Sequence, residues 1–116
     1  MTYDEVKNLK IMDIAIGSTL LDLAKQNLSI VSTSTLKDDE IKMYVNAAVS
    51  DLERQGIDVE NNINDGLVQG AIMMYLKANF GMVDIKEKEL SQARYIQTCH
   101  NLSLSEQYKK GDDENV

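Results

Sequence analysis

Apolar residues recur along this chain at helical intervals. The clearest run is Ile41, Val45, Ala48 and Leu52, which step by four, three and four and so share one side of a helix. Thr35 is the expected N-cap, with Asp38, Asp39 and Glu40 in the positive first turn. Asp38 and Lys42 form an i,i+4 pair of the favoured orientation, worth about 0.3 kcal/mol. Gly56 is placed to end this helix in the left-handed conformation, with Leu52 and Ile57 as the apolar pair of a Schellman stop.

Residues 58–64 (DVENNIN) read as a polar loop, after which Asn64 or Asp65 caps a third helix. There Leu67, Val68, Ala71, Ile72, Tyr75, Leu76 and Phe80 cover one side, and Met73 and Met74 widen it. A helix this apolar is central to a core or shared with a neighbour. Gly70 beside Ala71 is compatible with a close backbone approach, and Gly81 is expected to end the helix as Gly56 ends the one before. Asp84, with Glu87 three residues on, opens a fourth helix along one face of which Leu90, Ala93, Ile96, Cys99 and His100 step, with Cys99 read as a small apolar filler beside a half-exposed His100. Helical character fades over 101–105 (NLSLS).

The start of the chain reads as a first helix over residues 2–27. Thr2 to Glu5 fit a capping box, and Val6, Leu9, Ile16, Leu20 and Leu23 make a stripe that Asp13 and Gly17-Ser18 interrupt. Residues 29–35 are β-branched and hydroxyl-rich, which suits a link. The pattern predicts an all-α fold: a small bundle of about four helices with short links. One helical domain is expected over 1–108, followed by a flexible acidic tail at 109–116 (KKGDDENV).

Composition supports this. The chain has 116 residues, enough for one core. It has no proline and 6 glycines, so helix breakers are scarce. With no tryptophan and one phenylalanine, the core falls to Leu, Ile, Val, Met and Tyr. Its 6 methionines suit gap-filling or an adaptable interface. The net charge of −7 argues against wrapping nucleic acid or coating an anionic membrane. Cys99 is the single cysteine, so no internal disulfide is possible and a reducing compartment is the simpler expectation. The N-terminus is charged with no apolar signal core, and no apolar window is long enough to span a membrane.

Candidate chemistry is sparse. Cys99 and His100 are helix neighbours pointing about 100° apart, so they cannot form a nucleophile–base pair, and there is no second histidine. One cysteine and one histidine do not make a zinc site. The oxygen-rich loop at Asp58, Glu60, Asn61, Asn62, Asn64 and Asp65 lacks the calcium-loop spacing and reads as solvated. The Asp38-Asp39-Glu40 run is accounted for by the helix dipole, and no glycine-rich phosphate cradle is present. No catalytic, cofactor-binding or metal-ligating residue is expected.

Three segments in order carry a resemblance: TLKDDEIKMYVNAAVSDLERQGI (35–57), LVQGAIMMYLKANFGMVD (67–84) and ARYIQTCHNLSLSEQY (93–108). Their capped acidic start, glycine stops and late tyrosine-bearing helix resemble the small head–tail connector proteins of long-tailed phages, also called adaptors or DNA-packaging proteins. The resemblance implies a non-enzymatic virion subunit, present in the host cytoplasm during assembly. It implies a homo-oligomer ring below the portal protein that joins head to tail, meets a tail or stopper protein, and passes DNA without sequence-specific binding. It also implies portal docking through the C-terminal segment, here Leu102, Leu104, Tyr108, Lys109 and Lys110. Met73, Met74 and Lys77 are then candidates for the subunit interface, and Asp58, Glu60 and Asp65 for a lumen-facing loop. The competing reading is a small acidic helical adaptor that regulates a cellular protein through the third helix.

Overall fold

The computed structural model describes residues 19–30, 34, 36–81 and 83–110. Four α-helices lie within them: α1 (Thr19–Asn27), α2 (Asp38–Arg54), α3 (Gly66–Asn79) and α4 (Ile85–Leu104), with a short 3-10 turn at Glu60–Asn62. The all-α bundle expected from the sequence is therefore what forms. The Thr2 capping box, the Val6, Leu9 and Ile16 stripe with Asp13, the Gly17-Ser18 break, Thr35 and residues 111–116 lie outside the described residues.

Helix α1 buries Ala24 and Leu28, whereas Leu23, expected inward, is exposed. Ser29 ends the helix with φ +60°. Its N–H donates to the Gln26 carbonyl (3.1 Å), and Ile30 N–H to that of Lys25 (2.7 Å). These are the two bonds of a Schellman motif, made here by a serine. Lys25 is buried; its Nζ meets the Asp38 carboxylate at 2.9 Å and donates to the Ser34 carbonyl at 2.8 Å. Asp38 is thus engaged by α1, not by Lys42 as expected. This ion pair joins α1 to the first turn of α2 across the intervening link.

Helix α2 buries Ile41, Val45, Ala48, Val49 and Leu52, the expected stripe plus one. Lys37 occupies its N-cap position and makes no side-chain capping bond, which replaces the expected cap at Thr35. Its end is as anticipated. Gly56 has φ +86°, Gly56 N–H donates to Glu53 (3.0 Å), Ile57 N–H donates to Leu52 (3.1 Å), and both apolar partners are buried. The following loop is less polar than it reads, because Val59 and Ile63 turn into the core.

In α3, Asp65 is the N-cap: its Oδ1 accepts from Leu67 N–H (2.8 Å) and Val68 N–H (3.4 Å). Val68, Ala71, Ile72, Met73 and Leu76 are buried, but Leu67 is 57% exposed, on the outer edge of the apolar arc. Gly70 permits no close approach; a Cβ there would meet nothing within 4 Å. The helix stops differently from α2. Phe80, not Gly81, is the cap, in an extended conformation (ψ 132°), with its N–H on the Leu76 carbonyl (2.8 Å). Gly81 has no left-handed φ. Burial of the Phe80 ring against Tyr44 (centroids 5.6 Å, edge-on) pulls the chain out of the helix.

Helix α4 is capped as expected by Asp84, whose Oδ1 accepts from Glu87 N–H (3.0 Å), and it runs on through 101–104. Its buried face shares only Cys99 with the row read from the sequence. Ser91, Tyr95, Cys99 and Leu102 are buried, while Leu90, Ala93, Ile96 and His100 are exposed. Helix α3 packs against each of the other three, so it is the centre of the bundle. Residues 105–110 then fold back as a strap. Ile57 and Lys109 form an antiparallel bridge, with Asp58 N–H on the Tyr108 carbonyl (2.7 Å) and Lys110 N–H on that of Gly56 (2.8 Å). The backbone contacts of this strap reach Lys110. Among the described residues no helix is long and apolar enough to cross a membrane.

Candidate assembly surfaces

The C-terminal group divides in two. Leu102 and Tyr108 are buried, and Tyr108 Oη donates to Asp65 Oδ2 at 3.0 Å. Burial and this neighbouring carboxylate push the phenol above its usual pKa. One carboxylate thus serves two elements, capping α3 through one oxygen and holding the strap through the other. Tyr108 is accordingly an internal anchor and not an outward one, and Leu102 is core. Leu104 (69% exposed), Lys109 and Lys110 face outward, with Lys109 near Glu106 (3.9 Å) and Lys110 near Glu53 (3.5 Å).

The loop group is partly committed within the chain. Asp58 Oδ1 and Oδ2 accept from Asn61 N–H (3.2 Å) and Asn61 Nδ2 (2.7 Å). Asp65 is engaged as above, and Glu60 is half-buried. Among the described residues no group of three or more His, Cys, Asp or Glu side chains is placed to hold a metal ion. The α3 group is turned inward as well. Met73 is buried, with its carbonyl accepting from Asn27 Nδ2 (3.1 Å). Met74 is half-buried and its sulfur accepts from Thr98 Oγ1 (3.6 Å), and Lys77 pairs with Glu87 (3.3 Å). Met73 is thus buried within the subunit, and Met74 and Lys77 are half-buried.

Inside the bundle, Tyr95 Oη donates to Asp51 Oδ2, and Asp51 also accepts from Arg54 (2.8 Å) and Gln55 (2.9 Å). Burial alone raises the Asp51 pKa, but the hydrogen bonds from Tyr95, Arg54 and Gln55 outweigh it and hold the carboxyl below the ordinary value. Burial first, then the Asp51 bond, pushes Tyr95 far above the usual tyrosine range. Tyr75 packs edge-on against Tyr95 (5.3 Å). Cys99 is buried and its thiol is raised by desolvation, while His100 is exposed, so the two point apart as the helical geometry requires. This network ties α2 to α4.

The face missed by the sequence pattern is the outer side of α4. With Ala78 of α3, the residues Lys88, Glu89, Gln92, Ala93 and Ile96 line an open groove of about 440 Å³ whose floor is apolar. Ile85 and Leu104 extend the exposed apolar surface toward the two helix ends. A second outward apolar feature lies at the start of α2, where Leu36 is 91% and Met43 60% exposed, with Asp39 exposed between them in sequence. Exposed large apolar side chains also occur singly on α1 (Leu23) and α3 (Leu67), so the α4 face, with Ile85, Leu90, Ile96 and Leu104, carries the most of them.

No curated protein and no solved structure matches the chain. A family model does match: its description is phage connector protein, and it aligns with residues 20–109, from the first described helix through the strap. A match over so much of the chain shows the family, and the protein belongs to the phage connector proteins.

Proposed function

We propose that this protein is a non-enzymatic structural subunit of the virion that assembles as a homo-oligomer ring below the portal protein. The ring continues the DNA channel and joins head to tail, with a tail or stopper protein on its far side. Assembly takes place in the host cytoplasm. The family match over residues 20–109 carries this reading. The exposed apolar surfaces on α2 and α4 support it, because a ring closes through two different faces per subunit. The net charge of −7 supports a channel wall along which DNA slides without being held. Asp58, Glu60 and Asp65 remain the proposed lumen loop, with Glu60 its least committed carboxylate. Portal docking falls to the outward residues of the C-terminal segment, Leu104, Lys109 and Lys110, which Tyr108 and Leu102 hold in place from inside.

Native mass spectrometry and light scattering, with and without purified portal, test this. The expected result is a large closed oligomer or a portal-bound assembly. A monomer in both conditions, with no portal binding, overturns it. Leu104→Asp should weaken portal binding while leaving helical circular dichroism unchanged; full binding by this variant removes Leu104 from the docking surface.

A further inference from the structure

Taking the ring reading as its basis, we propose which two faces of the chain meet in it: the Leu36–Met43 knob at the start of α2 of one copy seats in the α4 groove of the next. Leu36 is the most exposed large apolar side chain among the described residues. It precedes α2 by two residues, and Met43 follows it by seven, so both sit at one end of the bundle's α2 flank. The receiving surface is concave and apolar on its floor, where Ala78, Ala93 and Ile96 leave room because two of the three are alanines. A knob of one or two branched or thioether side chains fits a groove of this size.

Charge orients the contact. The acidic residue beside the knob is Asp39, exposed, while Glu40 is already paired with Lys37 (3.5 Å). The groove wall carries one basic residue, the half-buried Lys88 five residues before Ala93, beside the exposed acidic Glu89. Asp39 against Lys88 is therefore the complementary pair across the contact, and it sets direction and register more than affinity. The reverse arrangement, knob on knob, would bring Asp39 against Asp39. The contact is heterologous: each copy offers a knob to one neighbour and a groove to the other, so it propagates until the ring closes. A second copy is favoured over a foreign partner because both complementary halves are present on the one chain.

The test uses the full chain carrying Leu36→Cys and Ile96→Cys together, oxidised alone and on portal, and run on a non-reducing gel. Native Cys99 is buried and serves as the wild-type control. The expected result is a ladder of crosslinked multimers from the double variant, with no ladder from either single variant. Efficient dimers from Leu36→Cys alone would mean a knob-on-knob contact and overturn the proposal. No ladder, with a ring still seen by native mass spectrometry, also overturns it and leaves the ring reading intact. Absence of any oligomer under every condition, portal included, overturns both. As a second measurement, Asp39→Lys and Lys88→Asp should each weaken assembly by about tenfold or more, and the double exchange should restore it. Failure of the double exchange to rescue removes this pair from the interface and with it the assigned direction. Asp39 is exposed and Lys88 half-buried, both in the first turns of their helices, so a charge exchange shifts the urea midpoint of each variant through the helix dipole; rescue of assembly by the double exchange separates that shift from the contact itself.

Discussion

Ser29 holds a left-handed backbone (φ +60°) at the end of α1, a conformation in which a Cβ is unfavourable. Gly56 does the same work for α2 without that cost. Ser29→Gly is therefore expected to raise stability by about 1 kcal/mol, read as a higher urea midpoint at unchanged slope. An unchanged or lower midpoint would show that the serine side chain contributes more than its strain costs. Asp51 is the other residue with a measurable consequence. Its pKa is depressed in the folded state, so its contribution is fully present above the ordinary aspartate value and is lost as pH falls through the folded value. Tyr95 is raised, so its contribution is present below pH 10 and declines as the unfolded chain's tyrosine ionises above it. Tyr95→Phe should lower stability by about 1.5–3 kcal/mol at neutral pH, the range for a hydrogen bond to a charged group. It should also flatten both the acid and alkaline arms of midpoint against pH. Retention of both arms would assign them to other groups.

At the scale of elements, the local signals were legible and the facing of α4 was not. The Schellman stop at Gly56, the cap at Asp84 and the buried stripe of α2 all depend on residues within a few positions of one another, and each is readable from its spacing; for α3 the spacing left Asn64 and Asp65 open, and Asp65 is the cap. Helix α4 carries two apolar rows, Leu90-Ala93-Ile96 and Tyr95-Cys99-Leu102. Periodicity alone cannot choose between them. The choice is made by Asp51 on α2, which offers Tyr95 a hydrogen bond, and by the Tyr75 ring, both distant in sequence. The strap is hidden from local spacing for the same reason: Tyr108 reads as an outward anchor until Asp65 and the Gly56–Asp58 backbone are brought beside it. Removing residues 106–116 takes away Tyr108 and the backbone bonds to Gly56 and Asp58. It should lower the thermal midpoint and broaden the transition seen by circular dichroism. An unaltered melt would return the folded boundary to the end of α4.

For the whole molecule, the acidic balance makes a prediction independent of any single contact. With net charge −7 there is no counterion release to drive DNA binding. Fluorescence anisotropy with a short labelled duplex should therefore show no binding at physiological salt. Saturable binding would contradict the sliding-channel reading. The sequence by itself determined the helical class, the buried stripe of α2, the Asp84 cap, the glycine stop at Gly56 and the family, because each rests on residue type at short spacing. Tertiary structure alone decided which side of α4 is outside, that Met73 and Tyr108 are inside, and that Lys25 claims Asp38 from Lys42. Those outcomes depend on partners 13 to 46 positions away in the chain, whose approach no local periodicity encodes.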